Sequence, residues 1–151
     1  MQESIKWKIK RFKELSAEEL YLALQLRSEV FVVEQNCVYQ DVDGKDAKAI
    51  HLLGYLNEVL VAYARLFQAG DYFDQASIGR VVVSPKHRNK SFGHELMKKA
   101  IQEIEKRFTT NSITISAQLY LKAFYESHGF VALGETYLED DIPHIEMCRS
   151  L

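Results

Sequence analysis

Cysteine is scarce in this 151-residue chain: only Cys37 and Cys148 occur, with no C-x-x-C spacing. That excludes a disulfide scaffold and a cysteine-based zinc ribbon, and predicts two free thiols in a reducing, cytoplasmic setting. An excess of either charge is also lacking, because 19 Lys and Arg stand against 21 Asp and Glu for a net charge of −2. Nothing in that balance draws the chain to nucleic acid or to a membrane surface. No apolar run approaches the roughly 20 residues of a spanning helix, and the Lys-rich start alternates like a strand, unlike a signal peptide. The phosphate-binding patterns G-x-x-x-x-G-K-[ST] and G-x-G-x-x-G are missing. So are G-x-S-x-G and any H-x-x-x-H or mixed Cys/His zinc spacing. Asp41-Val42-Asp43-Gly44 suggests a calcium loop, but aligning Gly44 with the loop glycine puts Tyr39 and Ile50 at the two essential carboxylate positions. No metal is expected. With no repeat or linker, residues 1–151 read as one domain.

What is present is a regular alternation of elements. Ile5, Trp7 and Ile9 alternate with lysines, which predicts a half-buried strand. Ser16 and Glu19 form a capping box that opens a helix running to about Val32. A polar, acidic connection covers 34–48. Strands follow at about 49–56 and 59–68, joined by a tight turn at Asn57-Glu58, and a third strand covers about 76–83. Phe92, Leu96, Ala100 and Ile104 recur every fourth residue, giving a helix to about Phe108. Ile113 and Ile115 mark another strand, a short helix holds Tyr125, Gly129 is its C′ residue, and two further strands end the chain. The order β-α-β-β-β-α-β-α-β-β predicts a mixed α/β domain with helices flanking a central mixed sheet. A ligand belongs at the carboxyl ends of the strands on either side of the long helix.

The junction before that helix carries the chemistry. Val81, Val82 and Val83 run into Ser84-Pro85-Lys86-His87, then Arg88, Asn89, Lys90, Ser91, Phe92, Gly93 and His94. Successive backbone N–H groups at a helix start, with Arg88 and Lys90 beside them, make a cradle for a pyrophosphate. This segment resembles the acetyl-CoA loop of the GNAT N-acetyltransferases, Q/R-x-x-G-x-G/A. Arg88 fills its first position, Gly93 its last, and Ser91 stands where the family usually has glycine. Residues 118–130, from Gln118 through Ala123-Phe124-Tyr125 to Gly129-Phe130, resemble the later motif of the same family, A-x-x-F-Y-x-x-x-G-F. Segments at 30–46, 79–85 and 142–147 are similar to the ElaA-like acetyltransferases, so the resemblance extends over nearly the whole chain.

The resemblance implies a single GNAT-like domain that uses acetyl-CoA as co-substrate and acetylates a small-molecule or peptide amine by direct transfer. It also implies that Tyr125 protonates the departing thiolate. The general base is open. Many relatives place a Glu on the strand before the cradle, but this strand offers Gln75, Ser77 and Arg80; a water chain ending at Glu34 or His51 is the preferred expectation. His144 reads as a structural hydrogen-bonder more readily than as a catalyst. The acidic set Glu34, Asp41, Asp43 and Asp46 is read either as a solvated face or as a pocket for a cationic amine, whose pKa is about 10. The alternative to an enzyme is an acyl-CoA-binding sensor without transferase activity. A homodimer is left open.

Overall fold

The structure is a computed structural model and describes residues 4–151. Strand β1 (Lys6–Arg11) turns its lysines outward and tucks Trp7 and Ile9 against the sheet. The capping box forms as expected: Ser16 Oγ accepts from Glu19 N at 3.0 Å, and Glu19 Oε1 accepts from Ser16 N at 2.8 Å. Helix α1 (Ala17–Arg27) then differs from expectation. Instead of continuing to Val32 as α-helix, the chain winds as a π-helix over Ser28–Glu34, with bonds such as Gln35 N to Val30 O and Cys37 N to Val32 O. Three valines in this stretch weaken its α preference, and such widened turns are frequent at functional sites.

Strands β2 (Ile50–Leu56), β3 (Val59–Phe67) and β4 (Ala76–Val83) form an antiparallel meander. The β2–β3 turn takes positive φ at both Asn57 and Glu58, the geometry that matches strand twist in two-residue hairpins. Helix α2 (Phe92–Arg107) leads to β5 (Ser112–Gln118), α3 (Lys122–Glu126), β6 (Val131–Glu139) and β7 (Ile142–Ser150). The seven strands lie in the order β1-β2-β3-β4-β5-β7-β6. This is the mixed α/β domain that the alternation predicted.

Helix α2 covers one face of β3 and β4, and α1 covers the other face of β3. Phe92, Leu96, Ala100 and Ile104 are all buried, with Met97 beside them. Each fully buried aliphatic side chain of this kind contributes roughly 1.5–3 kcal/mol. Gly129, at φ +88°, closes α3: its N–H reaches Glu126 O, and Phe130 N reaches Tyr125 O. That pair of bonds is a Schellman motif. The cysteines are free, Cys37 buried and Cys148 half-buried. Among the described residues no helix is long and apolar enough to cross a membrane.

The acidic connection is neither a solvated face nor an amine pocket. Asp41, Asp43 and Asp46 turn inward onto three arginines brought from separate elements. Arg27, fully buried, bonds Asp41 Oδ2 at 2.9 Å and Asp46 Oδ1 at 2.8 Å. Arg65 bonds Asp43 and Asp46, and Arg80 Nη2 reaches the Asp41 carbonyl at 3.1 Å. Three carboxylates against three guanidiniums leave the cluster neutral, which is how charges are tolerated at this depth. His51 sits at its edge. One ring nitrogen lies 2.7 Å from Tyr63 Oη and the other 2.9 Å from the Asp46 carbonyl oxygen.

Candidate active site

Among the described residues β4 and β5 are the sheet's one parallel pair, and they pair only at Ala76↔Ile113 and Ser77↔Thr114. Beyond those residues the strands part. The opening is a cleft of about 670 Å³, walled by Ile78 through Val83 on one side and by Ile115, Ser116 and Gln118 on the other. A bulge in β4 sharpens the divergence: the pairing with β3 slips by one residue near Arg80, whose φ is +50°. β4 therefore presents an unpaired row of backbone N–H and C=O groups to the cleft, at the middle of the sheet instead of its rim.

The cradle lies at the end of that strand. Asn89 and Ser91 both adopt left-handed backbone, at φ +66° and +63°. The Ser91 side chain does not cap α2. The first-turn N–H groups of α2 thus lack intrahelical acceptors and face the cleft mouth, which suits an anion of two phosphates. Ser91 takes the very conformation for which glycine is favoured, so the loop geometry is kept at a conformational cost. Gly93 has ordinary room: an added Cβ would rest 3.5 Å from the Phe124 ring.

Arg88 is committed to a partner. Its Nη1 and Nη2 donate to the two carboxylate oxygens of Glu34, each at 2.7 Å, and its Nε donates to the Val83 carbonyl at 3.3 Å. The pair bridges the π-helix and the cradle loop. The same Arg88 bonds hold the Glu34 carboxyl below its usual range against a smaller desolvation effect, which makes Glu34 a poor proton acceptor. Of the other residues singled out in the sequence, Val81, Val82, Val83, Asn89, Ser91, Phe92, Gly93, His94, Gln118 and Tyr125 all line the cleft, as does Arg88. Lys90 is exposed and does not line it, and neither do Glu34 and His51. His51 is fully buried in the arginine–aspartate cluster, where burial keeps it neutral. The structure does not bring it to the reacting centre.

Tyr125 is 7% exposed, held edge-on between Phe124 and Phe130, and its hydroxyl has no hydrogen-bond partner among the described residues. Burial pushes its pKa far up, so at neutral pH it keeps the proton an acid catalyst needs. Gln118 reaches across the cleft to Gln35, each amide donating to the other's oxygen at 3.2 Å.

A group that sequence reasoning set aside faces the cleft from the other half of the sheet. His144 on β7 pairs with Gln118 in the β5–β7 register, is 6% exposed and lines the cleft. Its Nδ1 lies 2.7 Å from the Ile142 carbonyl oxygen, which can only accept, so Nδ1 carries a proton. The Tyr137 ring stacks on the imidazole, and Glu139 Oε2 stands 3.4 Å from Nε2. Tyr137 Oη is 2.5 Å from Ser116 Oγ, which in turn donates to Glu139 Oε1 at 3.2 Å. The signal was present as a histidine among apolar alternating residues, but only the β6–β7 pairing shows what surrounds it.

A parallel strand pair parted around a cleft, with an amide-lined loop at its mouth and a buried tyrosine in its wall, is the architecture of a CoA-dependent acyltransferase. The model of the acetyltransferase (GNAT) domain matches residues 12–151, and the chain belongs to that family. Within it, the chain is similar to the protein ElaA of Escherichia coli, 44% identical over 149 residues that make up 97% of each chain. The crystal structure of that ElaA superposes with a TM-score of 0.90, covering 97% of this chain and 99% of that one. An acyl-CoA N-acyltransferase from Pseudomonas aeruginosa superposes at 0.91 with 47% identity and the same coverage. A cyanobacterial relative from Synechocystis, the UPF0039 protein sll0451, is 40% identical over 144 residues, 95% of this chain and 94% of its own.

Proposed function

We propose that the protein is an N-acetyltransferase that moves the acetyl group of acetyl-CoA directly to an amine, with both substrates held in the cleft at once. The observation that carries this reading is the parting of β4 from β5. It leaves a row of strand amides running from the bulge at Arg80 to the cradle at Ser91, the length and polarity that a pantetheine arm ending in a pyrophosphate requires. The relative with 47% identity is described as an acyl-CoA N-acyltransferase, which supports carrying acyl-CoA over to this cleft.

In this reading the first-turn amides of α2 bind the pyrophosphate, and strand amides near Val83 stabilise the oxyanion as the amine attacks the thioester carbon. The Tyr125 hydroxyl gives its proton to the sulfur as the C–S bond breaks. Holding amine and thioester together supplies much of the acceleration. Retention of a protonated, cleft-facing Tyr125 favours catalysis over the alternative of a silent acyl-CoA sensor.

Two measurements test it together. Acetyl-CoA at about 100 times its Kd should stabilise the fold by about 2.7 kcal/mol, a rise in Tm of about 5 °C or more. Thiol release should follow on adding an amine from a panel of polyamines, amino sugars and peptide amino termini. Tyr125→Phe should lower kcat at least tenfold while keeping the thermal shift, near the low end of general-acid effects because a thiolate leaves readily. A thermal shift without turnover on any amine would leave the sensor; no shift at all would remove both.

A further inference from the structure

We propose that the acceptor nitrogen enters the cleft as an ammonium, docks between His144 Nε2 and the Glu139 carboxylate, and surrenders its proton to His144, which is the general base. This rests on the acetyl-transfer reading above and supplies what that reading leaves out.

His144 and Glu139 are mismatched in hydrogen-bonding character. Nδ1 of His144 must donate to Ile142 O, so in the neutral ring Nε2 is an acceptor. Glu139 Oε2 is an acceptor too, and it faces Nε2 across 3.4 Å, long for a hydrogen bond. Two acceptors pointed at one another need a donor. A proton on Nε2 meets that need, and so does an ammonium nitrogen seated beside both atoms with an N–H toward each. The arrangement is therefore suited to two states that differ by one proton transfer: ammonium with neutral imidazole, and free amine with imidazolium.

The surroundings hold both groups in place. Tyr137 stacks on the ring, and the chain from Tyr137 Oη to Ser116 Oγ to Glu139 Oε1 pins the carboxylate from its far side. Tyr137 and Glu139 come from β6. The hairpin tip adds Asp140, a further cleft-lining carboxylate and no cation. From β5, Gln118 and Ser116 are uncharged, and Tyr125 lines the cleft from α3. Two arginines line the cleft, and both are paired: Arg88 at the cradle end with Glu34, and Arg80 on β4 with Asp41 and Asp43. Neither arginine is paired with Glu139 or Asp140, so these two cleft-lining carboxylates keep their charge for an incoming cation. The loop acids cannot take this part, because Asp41, Asp43, Asp46 and Glu34 are already spent on arginines.

The protons balance. A primary ammonium loses two protons in becoming an amide N–H. The first goes to His144 Nε2 and on to solvent through Glu139, which is 44% exposed. The neutral nitrogen then attacks the thioester carbon, and the C–S bond breaks with its electron pair on sulfur. The thiolate takes the Tyr125 proton, and the phenolate recovers the second proton from nitrogen. The products are the acetamide, CoA thiol and one released proton.

His144→Asn is the discriminating variant, since the Asn amide can keep the donor to Ile142 O while removing Nε2. With spermidine, glucosamine and a free-amino-terminus pentapeptide as acceptors, its kcat/KM should fall by about 100-fold or more. The limb of the wild-type pH profile that rises with histidine deprotonation should vanish, and the thermal shift with acetyl-CoA should be unchanged. Glu139→Gln should raise the acceptor KM with little change in that shift. Wild-type kcat/KM in His144→Asn overturns the assignment, as does a loss of rate that leaves the pH limb in place. Those outcomes leave acetyl transfer standing; failure of the wild type to acetylate any of the three removes that reading and this inference with it.

Discussion

Ser91 shows how a single residue can depart from its family's pattern while the loop keeps its backbone geometry. The loop keeps a left-handed residue at this position, and only the side chain has changed. A non-glycine residue in this region costs roughly 1–2 kcal/mol, partly offset by the extra freedom glycine has in the unfolded chain. Ser91→Gly should therefore raise stability by about 0.5 kcal/mol, a Tm gain of about 1–2 °C in thermal melts, without weakening acetyl-CoA. An unchanged or lower Tm would mean that Ser91 makes up the cost elsewhere. That Tyr125 lines the cleft was legible at this scale because its motif is local. His144 was not, because its meaning depends on Glu139 and Tyr137, which reach it only through strand pairing. The same holds for Glu34: the sequence offered it as the end of a water chain or part of an amine pocket, and only folding brings Arg88, 54 residues later, onto it.

Among the elements, α2 was readable almost residue for residue, since its four-residue stripe is both the helix signal and the core face. The strands were readable from alternation and turn chemistry. The π-helix over Ser28–Glu34 was not, since its apolar content fits an α-helix as well. The connection 34–48 was misread for a physical reason. Acidic residues in a loop usually meet water, and their arginine partners at 27, 65 and 80 are scattered over three elements. That cluster sets the acid limit of the fold. Burial alone would raise Asp43 and Asp46, but hydrogen bonds from Arg65 and Arg27 outweigh it and hold both below the ordinary aspartate range. A depressed folded pKa contributes stability that is complete above the unfolded value, near pH 4, and drains away as pH falls below it. Urea melts should accordingly show stability falling steeply below about pH 4. Asp46→Asn should cost about 3–5 kcal/mol at pH 7, because it strands part of the charge on Arg27 and Arg65, and should flatten the acid slope. Equal urea midpoints for this variant and the wild type at pH 7 would refute that account.

Across the whole molecule, the parted pair β4 and β5 divides the sheet into a four-stranded and a three-stranded half, and the site draws on both. One half supplies the bulged strand and the cradle, the other His144 and, through α3, Tyr125. Alternation in the sequence predicted every strand on either side but not the gap, because a strand that loses its neighbour keeps the same apolar pattern. The halves are also tied directly, by a bond between two residues that line the cleft. Asp140 and Asp141 form the tip of the β6–β7 hairpin, both at positive φ, and the Asp140 carbonyl accepts the thiol of Cys37 at 3.2 Å. Burial pushes that thiol's pKa up, so while the tie holds, Cys37 is shielded and protonated, the least reactive form of a cysteine. Alkylation of Cys37 thus becomes a clock for the hairpin. Its rate counts how often the Asp140 carbonyl lets go of the thiol, with no mutation added. Filling the acceptor end of the cleft with spermidine should slow that clock, followed by mass spectrometry of the alkylated peptide, while Cys148 on β7 runs as the internal reference. Equal slowing at both cysteines would mean that the whole fold had tightened and the hairpin had not moved separately.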